Sequence, residues 1–170
     1  AKTAPGGNWF AWWEQPKPMK GQAAAAWKRH EIAGGQEGAT NIQIADWNGD
    51  GKPDFLATRG HGKGVVWYEA PNWSAHEIDA EITGPHSLAV GDIDGDGDPD
   101  AATCAKDSGI VALYRNDGKG RFERLYLHED QSAYDIRMVD LDADGDLDLL
   151  VAGQEQRNVA WLENPSQSRP

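Results

Sequence analysis

Three short loops of alternating aspartates carry the first chemistry this sequence offers. They are Asp46-Trp47-Asn48-Gly49-Asp50-Gly51-Lys52-Pro53-Asp54, Asp92-Ile93-Asp94-Gly95-Asp96-Gly97-Asp98-Pro99-Asp100 and Asp140-Leu141-Asp142-Ala143-Asp144-Gly145-Asp146-Leu147-Asp148. Each places an acceptor oxygen at positions 1, 3, 5 and 9 and a glycine at position 6. Carboxylates at alternate positions turn towards one centre, and the glycine takes a bend that a side chain would resist. A hard cation is what such a loop wraps. By analogy with other calcium loops, the backbone carbonyl at position 7 completes the shell. The expected ligands are Asp46, Asn48, Asp50, Lys52 and Asp54; Asp92, Asp94, Asp96, Asp98 and Asp100; and Asp140, Asp142, Asp144, Asp146 and Asp148. Lys52, Asp98 and Asp146 would serve through their carbonyls. Three calcium sites follow.

Acidic surface turns are the plainer alternative, because Asp and Gly are common turn residues. Three copies in one register argue against it. Without a cation, two unit charges about 4 Å apart repel by roughly 4 kcal/mol at an effective dielectric near 20. An EF-hand begins in the same way but needs a bidentate Glu at position 12 and a helix on each side. Position 12 here is Ala57, Thr103 and Val151, so that reading fails.

The flanks are β-like. Ile42 and Ile44, Leu88 and Val90, and Ile136 and Met138 alternate before the loops. Phe55-Leu56-Ala57-Thr58, Ala101-Ala102-Thr103-Cys104 and Leu149-Leu150-Val151-Ala152 follow as short apolar runs suited to strands buried on both faces. Each cation would thus staple the hairpin between two strands. The loop starts, Asp46, Asp92 and Asp140, are almost evenly spaced, and at one constant offset behind them stand Trp67, Leu113 and Trp161. A turn then leads to a fourth strand at Trp73–Ile78 and at Phe122–Leu127. Four strands, A to D, in a unit of about 40–50 residues make a propeller blade.

The ends are incomplete in opposite ways. Trp12-Trp13-Glu14-Gln15-Pro16 matches Trp67-Tyr68-Glu69-Ala70-Pro71, and Trp27 to Ile32 matches Trp73 to Ile78, so strands C and D of an earlier blade are expected first. Between them, Lys17 to Ala26 form an enlarged loop with four consecutive alanines, in which a helical turn would be marginal. The last blade has strands A to C only. The reading is an all-β, partial β-propeller. Residues 1–35 supply strands C and D of a split blade, 36–82 and 83–129 form blades, and 130–170 form a blade lacking its last strand. Open edges invite pairing. Other copies of the chain, or the rest of a larger propeller, are the expected partners, and a neighbour's D strand would complete the last blade.

These loops and the strand pattern around them resemble the FG-GAP and VCBS repeat family, which includes the head of integrin α chains. The resemblance covers nearly the whole chain. It implies a β-propeller with calcium in the A–B hairpins, held by positions 1, 3, 5 and 9 of each loop. The Phe-Gly and Gly-Ala-Pro signatures are not literally present; Gly84-Pro85-His86 is the nearest echo.

A propeller usually acts where its D–A and B–C connections gather. The D–A positions six before each loop are Thr40, His86 and Tyr134, and the B–C loops add Arg59, His61, Lys106, Asp107, Gln154, Glu155 and Arg157. Arg59, His61, His86, Tyr134 and Arg157 are therefore the candidate ligand-binding set, suited to an acidic sugar or a protein. The alternative is ordinary solvated loop residues. His30 and His76 repeat beside Glu31 and Glu77 and read as structural, and no two histidines have the close spacing of a zinc site. Of the eight tryptophans, Trp12, Trp67 and Trp161 read as fillers between blades, and Trp47 is the one to consider for stacking on sugar.

The net charge is −12, and the loops hold nearly half of the 28 acidic residues, so three dications would halve it. No basic stripe argues for a nucleic-acid partner, and no run of 18 apolar residues argues for a membrane span. Cys104 is the single cysteine, which excludes a disulfide within the chain. The first residue is Ala1 rather than Met, so a preceding segment is expected to have been removed. Calcium sites of the extracellular kind need roughly 0.1–1 mM free ion, which suggests a secreted or periplasmic setting. A binding or scaffold module is the leading reading. A propeller portion of a polysaccharide lyase and a self-assembling fragment are the alternatives.

Overall fold

A computed structural model describes residues 8–17 and 26–165; residues 18–25, most of the alanine-bearing loop, lie outside these. The described residues are all-β, with thirteen strands in four antiparallel sheets and no helix. The first sheet pairs β1 (Trp9–Glu14) with β2 (Lys28–Gly34). The second runs in order through β3 (Ala39–Ala45), β4 (Asp54–Arg59), β5 (Lys63–Glu69) and β6 (Ser74–Thr83). The third repeats it with β7 (Pro85–Gly91), β8 (Asp100–Ala105), β9 (Ile110–Asn116) and β10 (Phe122–Glu129). The fourth has β11 (Ala133–Val139), β12 (Asp148–Gly153) and β13 (Asn158–Leu162). The chain is a partial propeller, as the repeat pattern implied.

Each acidic loop joins the first two strands of its sheet, and registers repeat across it. Ala45 pairs with Asp54, Gly91 with Asp100 and Val139 with Asp148. The loop ends are thereby pinned by the ladder. Inner strands β3, β7 and β11 lie side by side in that order, which is how blades line an axis.

The core lies between the sheets. One seam packs Trp47, Leu56, Val65 and Trp67 of the second sheet on Leu88, Ala101, Ala112 and Tyr114 of the third. The next packs Ile93, Ala102, Cys104, Val111 and Leu113 on Ala133, Ile136, Leu149 and Val151. β4 and β8 are flanked on both faces and bury nearly every residue, which is why they read as continuous apolar runs. A third, smaller seam seats Phe10 on Phe55, Ala57, Val66 and Tyr68.

Two expectations about tryptophan need correcting. Trp47 sits in an acidic loop but is fully buried, its ring 5.7 Å from Phe122 of the next sheet. It is a seam residue and offers no stacking surface. Trp67 fills a seam as expected, whereas Trp12 and Trp161 are exposed. Trp12 belongs to a two-stranded sheet, and the sheet bearing Trp161 has no neighbour on that side among the described residues.

Candidate metal loops and the loop face

Inside each loop, side-chain oxygens accept backbone N–H groups in one recurring pattern. Position 1 accepts from position 6: Gly51 N–H donates to Asp46 (2.7 Å), Gly97 to Asp92 (3.0 Å) and Gly145 to Asp140 (3.1 Å). Position 3 accepts from position 5, with Asp50, Asp96 and Asp144 N–H donating to Asn48, Asp94 and Asp142. Position 5 accepts from position 7. The glycines at position 6 have φ of 83°, 96° and 98°, the left-handed region where a side chain is disfavoured. Position 4 needs the same turn, and there Ala143 is held at φ 64° where the other loops have glycine.

These turns draw the carboxylates together. Oxygens of Asp92, Asp94 and Asp100 lie within 4.8 Å of one another, as do those of Asp140, Asp142 and Asp144. Hard oxygen donors on a flexible loop fit calcium. In the first loop, Lys52 Nζ donates to Asp50 at 2.5 Å and holds that carboxyl below its ordinary range. Asn48 Nδ2 donates to Glu69 at 3.0 Å, leaving its Oδ1 facing the loop.

Position 9 is buried in all three loops and does a second task. Its carboxylate receives the N–H of position 2 and the N–H at the end of the third strand. These are Trp47 and Ala70 for Asp54, Ile93 and Asn116 for Asp100, and Leu141 and Asn164 for Asp148. The Trp67 indole N–H adds a third bond to Asp54 at 3.0 Å. Burial pushes Asp148 upward, but bonds from Asn164, Leu141 and Trp161 hold it below the usual carboxylate value. Leu113 stands at the tryptophan's place behind the second loop, and there burial, abetted by Asp94 and Asp96, pushes Asp100 up to about 6. Asp100 is thus the position-9 carboxylate gathered into a metal-sized cluster. Asp142 and Asp146 are also raised, by desolvation and by their acidic neighbours.

Asparagines tie the first two loops to the following sheet. Asn116 Nδ2 donates to the Trp47 carbonyl at 3.0 Å, and Asn164 Nδ2 to the Ile93 carbonyl at 2.8 Å. The sequence reading passed over this pair, although both stand at one offset from their loop starts, where the first repeat has Ala70. It also passed over Asp79, a buried carboxylate on β6. Asp79 accepts from Tyr114 (2.9 Å), Tyr126 (3.2 Å) and Arg124 (3.0 Å) of the third sheet. Nothing in the repeat period marks it.

On the face away from the acidic loops, three of the five candidate ligand residues meet. His61 comes from the β4–β5 loop, His86 from β7 and Tyr134 from β11. Ring centroids are 4.7 Å apart from His61 to His86 and 4.4 Å from His86 to Tyr134, each edge to face. Desolvation, with His61 adding to it, holds His86 below the usual histidine value. Lys106 lies alongside, 3.5 Å from both Asp107 and Glu155. Arg59 does not join the strip. Its guanidinium binds Glu77 (2.7 and 3.2 Å) and Gln36 (2.9 Å). Arg157, in the β12–β13 turn at φ 55°, makes no ring contact or hydrogen bond with it. Thr40, at the same repeat place as His86, is spent on Gly38 and Gly60. His30 and His76 are structural as expected: each bonds a strand-C glutamate, Glu14 or Glu69, and stacks on Trp12 or Trp67.

Comparison with known proteins bears on the repeats and the fold. The family described as FG-GAP-like repeat matches residues 46–103 and 101–151. No curated protein sequence matches the chain. Among solved structures, the V. cholerae biofilm matrix protein Bap1 is similar, with a TM-score of 0.50 and 22% identity over 81% of this chain. The matched part is 21% of that protein's length, and the likeness is one of fold.

Proposed function

The chain belongs to the FG-GAP-like repeat family, and we propose that it is a calcium-stapled propeller segment that binds or scaffolds other molecules outside the cytoplasm. The carrying observation is the clustering of aspartate oxygens within 4.8 Å in loops that share one hydrogen-bonding pattern. Asp92, Asp94, Asp96 and Asp100, with the Asp98 carbonyl, would hold one ion. The corresponding residues of the loops at 46–54 and 140–148 would hold two more. The ion supplies positive charge that lets these carboxylates stay ionised side by side, fixing each hairpin. Sites of this type fill where free calcium is high, which supports a secreted or periplasmic setting. Among the described residues no helix is long and apolar enough to cross a membrane.

The binding surface in this reading is the strip of His61, His86 and Tyr134 with Lys106 beside it. Aromatic edges and the histidine ring nitrogens suit a sugar or a protein segment, while Lys106 is already paired with Asp107 and Glu155. A lyase reading also draws on His86 and Tyr134, which have the proton-transfer chemistry such an enzyme needs, but Arg59 is already committed to Glu77. Two measurements test the proposal. Calorimetric titration should give three calcium ions per chain, falling by one in Asp94→Ala. Retention on an immobilised acidic polysaccharide should weaken several-fold in His86→Ala with Tyr134→Ala. Zero calcium bound would overturn the metal reading, and unchanged retention the surface. Release of unsaturated uronate by the wild type would favour the lyase.

A further inference from the structure

On the calcium reading proposed for the loops, we infer that Asn116 and Asn164 join the three sites into one cooperative unit, each ion tightening the binding of its neighbour. Each asparagine stands at or just past the end of the third strand of its sheet, and its amide nitrogen serves two loops. Asn116 Nδ2 donates to the Trp47 carbonyl of the first loop (3.0 Å) and to the Pro99 carbonyl of the second (3.2 Å). Asn164 Nδ2 donates to the Ile93 carbonyl of the second loop (2.8 Å) and to the Leu147 carbonyl of the third (3.1 Å). The acceptors are the same both times: position 2 of the preceding loop and position 8 of the asparagine's own. Meanwhile the backbone N–H of each asparagine binds the position-9 carboxylate of its own loop, Asp100 or Asp148, at 2.8 Å.

These acceptors lie between ligands. The position-2 carbonyl sits in the stretch joining positions 1 and 3, and the position-8 carbonyl in the stretch joining positions 7 and 9. A cation that draws the ligands inward therefore sets where both carbonyls can lie. One NH2 group has two hydrogens, so it satisfies both acceptors only while the two loops hold their places together. The turn behind Asn116 tightens the first link. Gly120 N–H also donates to the Trp47 carbonyl, at 2.9 Å. A Cβ at Gly118 would overlap the Asp98 carboxylate of the second loop, and one at Gly49 of the first loop would stand 3.0 Å from the Gly118 carbonyl oxygen. The turn is thus wedged between the two loops. In an empty loop the carboxylates repel one another, and holding its bends in place costs conformational freedom. The first ion orders the shared asparagine and its turn, so the next ion has less left to order, which is positive cooperativity without a change of fold. Like charge between ions opposes this, but three to five aspartates in each loop neutralise its own ion.

Calcium titration of the nitrogen-15-labelled chain, followed by NMR, tests this. The amides of Gly51, Gly97 and Gly145 each donate to the position-1 carboxylate of their own loop, so they report the three occupancies separately. Asp50→Ala removes a ligand from the first loop and should raise the calcium midpoint read at Gly97 by about 5-fold or more. Asp96→Ala should raise the midpoint read at Gly51 by the same factor, because coupling is reciprocal. In an Asn116→Ala background, where Gly120 still holds the Trp47 carbonyl, both effects should shrink to less than about 2-fold. Asn164→Ala makes the same test between the second and third loops, with Asp96→Ala read at Gly145, and decides the matter if Asn116→Ala does not fold. Midpoints indifferent to the neighbouring loop's ligand, or a dependence that survives the asparagine substitutions, would overturn the coupling and leave the calcium reading standing. Glycine amides that do not respond to calcium at all would overturn both.

Discussion

Asp100 and Asp148 end equivalent loops, one raised to about 6 and the other held below its ordinary value. Burial pushes both upward; at Asp100 it prevails over the N–H bonds of Asn116 and Ile93, with the Asp94 and Asp96 charges adding to it, whereas at Asp148 the N–H bonds of Asn164 and Leu141, with a smaller contribution from Trp161, outweigh it. A carboxyl raised in the folded state binds protons that the unfolded chain has already released. Its contribution is therefore present at acid pH and lost as pH rises from about 4 through about 6. In the chelated protein, urea unfolding should show Asp100→Asn losing less stability than the wild type between pH 4.5 and 7. Equal losses would mean that Asp100 titrates normally. Calcium should reverse the sense, because a cation favours the ionised form. The glycine bends and the alternating donors were legible from residue types alone. The double duty of position 9 was not, since its partners lie at the end of the third strand, across a ladder that spacing does not display.

At the scale of the element, the sheets are held by single polar residues that reach across the seams. Asp79 gathers two phenols and a guanidinium from β9 and β10 while accepting the N–H groups of Glu81 and Ile82. Burial, with the Asp79 charge beside it, keeps the Tyr114 phenol protonated far above its usual range. Removing the carboxylate leaves a buried hydroxyl and two amides unpaired, so Asp79→Ala should destabilise by about 3 kcal/mol. Asp79→Asn should cost less, and equilibrium denaturation would separate the two. A loss smaller than one ordinary hydrogen bond contributes, about 0.5 kcal/mol, would mean that the seam rests on its apolar contacts alone. Strand positions were readable because alternation and the repeat period fix them. Asp79 was not, for it has no counterpart in the other repeats. Trp47 misled for the opposite reason: a loop position suggests exposure, but position 2 points across the seam at Phe122.

Across the whole molecule, sheets of few strands are arrayed side by side, and each of the first two acidic loops touches both its own sheet and the next. Position 9 binds the loop to its own third strand, and Asn116 and Asn164 bind the preceding loop to the following sheet. Cation binding should thus be felt beyond the hairpin, stiffening the row of sheets rather than one turn. The most direct measurement is thermal unfolding of the chain in saturating calcium and in chelator. One site filled at 100 times its dissociation constant adds about 2.7 kcal/mol, which for a domain near this size raises the melting temperature by roughly 5–10 °C. The account predicts a single transition raised by at least that amount in calcium, with Asp94→Ala recovering only part of the rise. The same melting temperature in calcium and in chelator would contradict it.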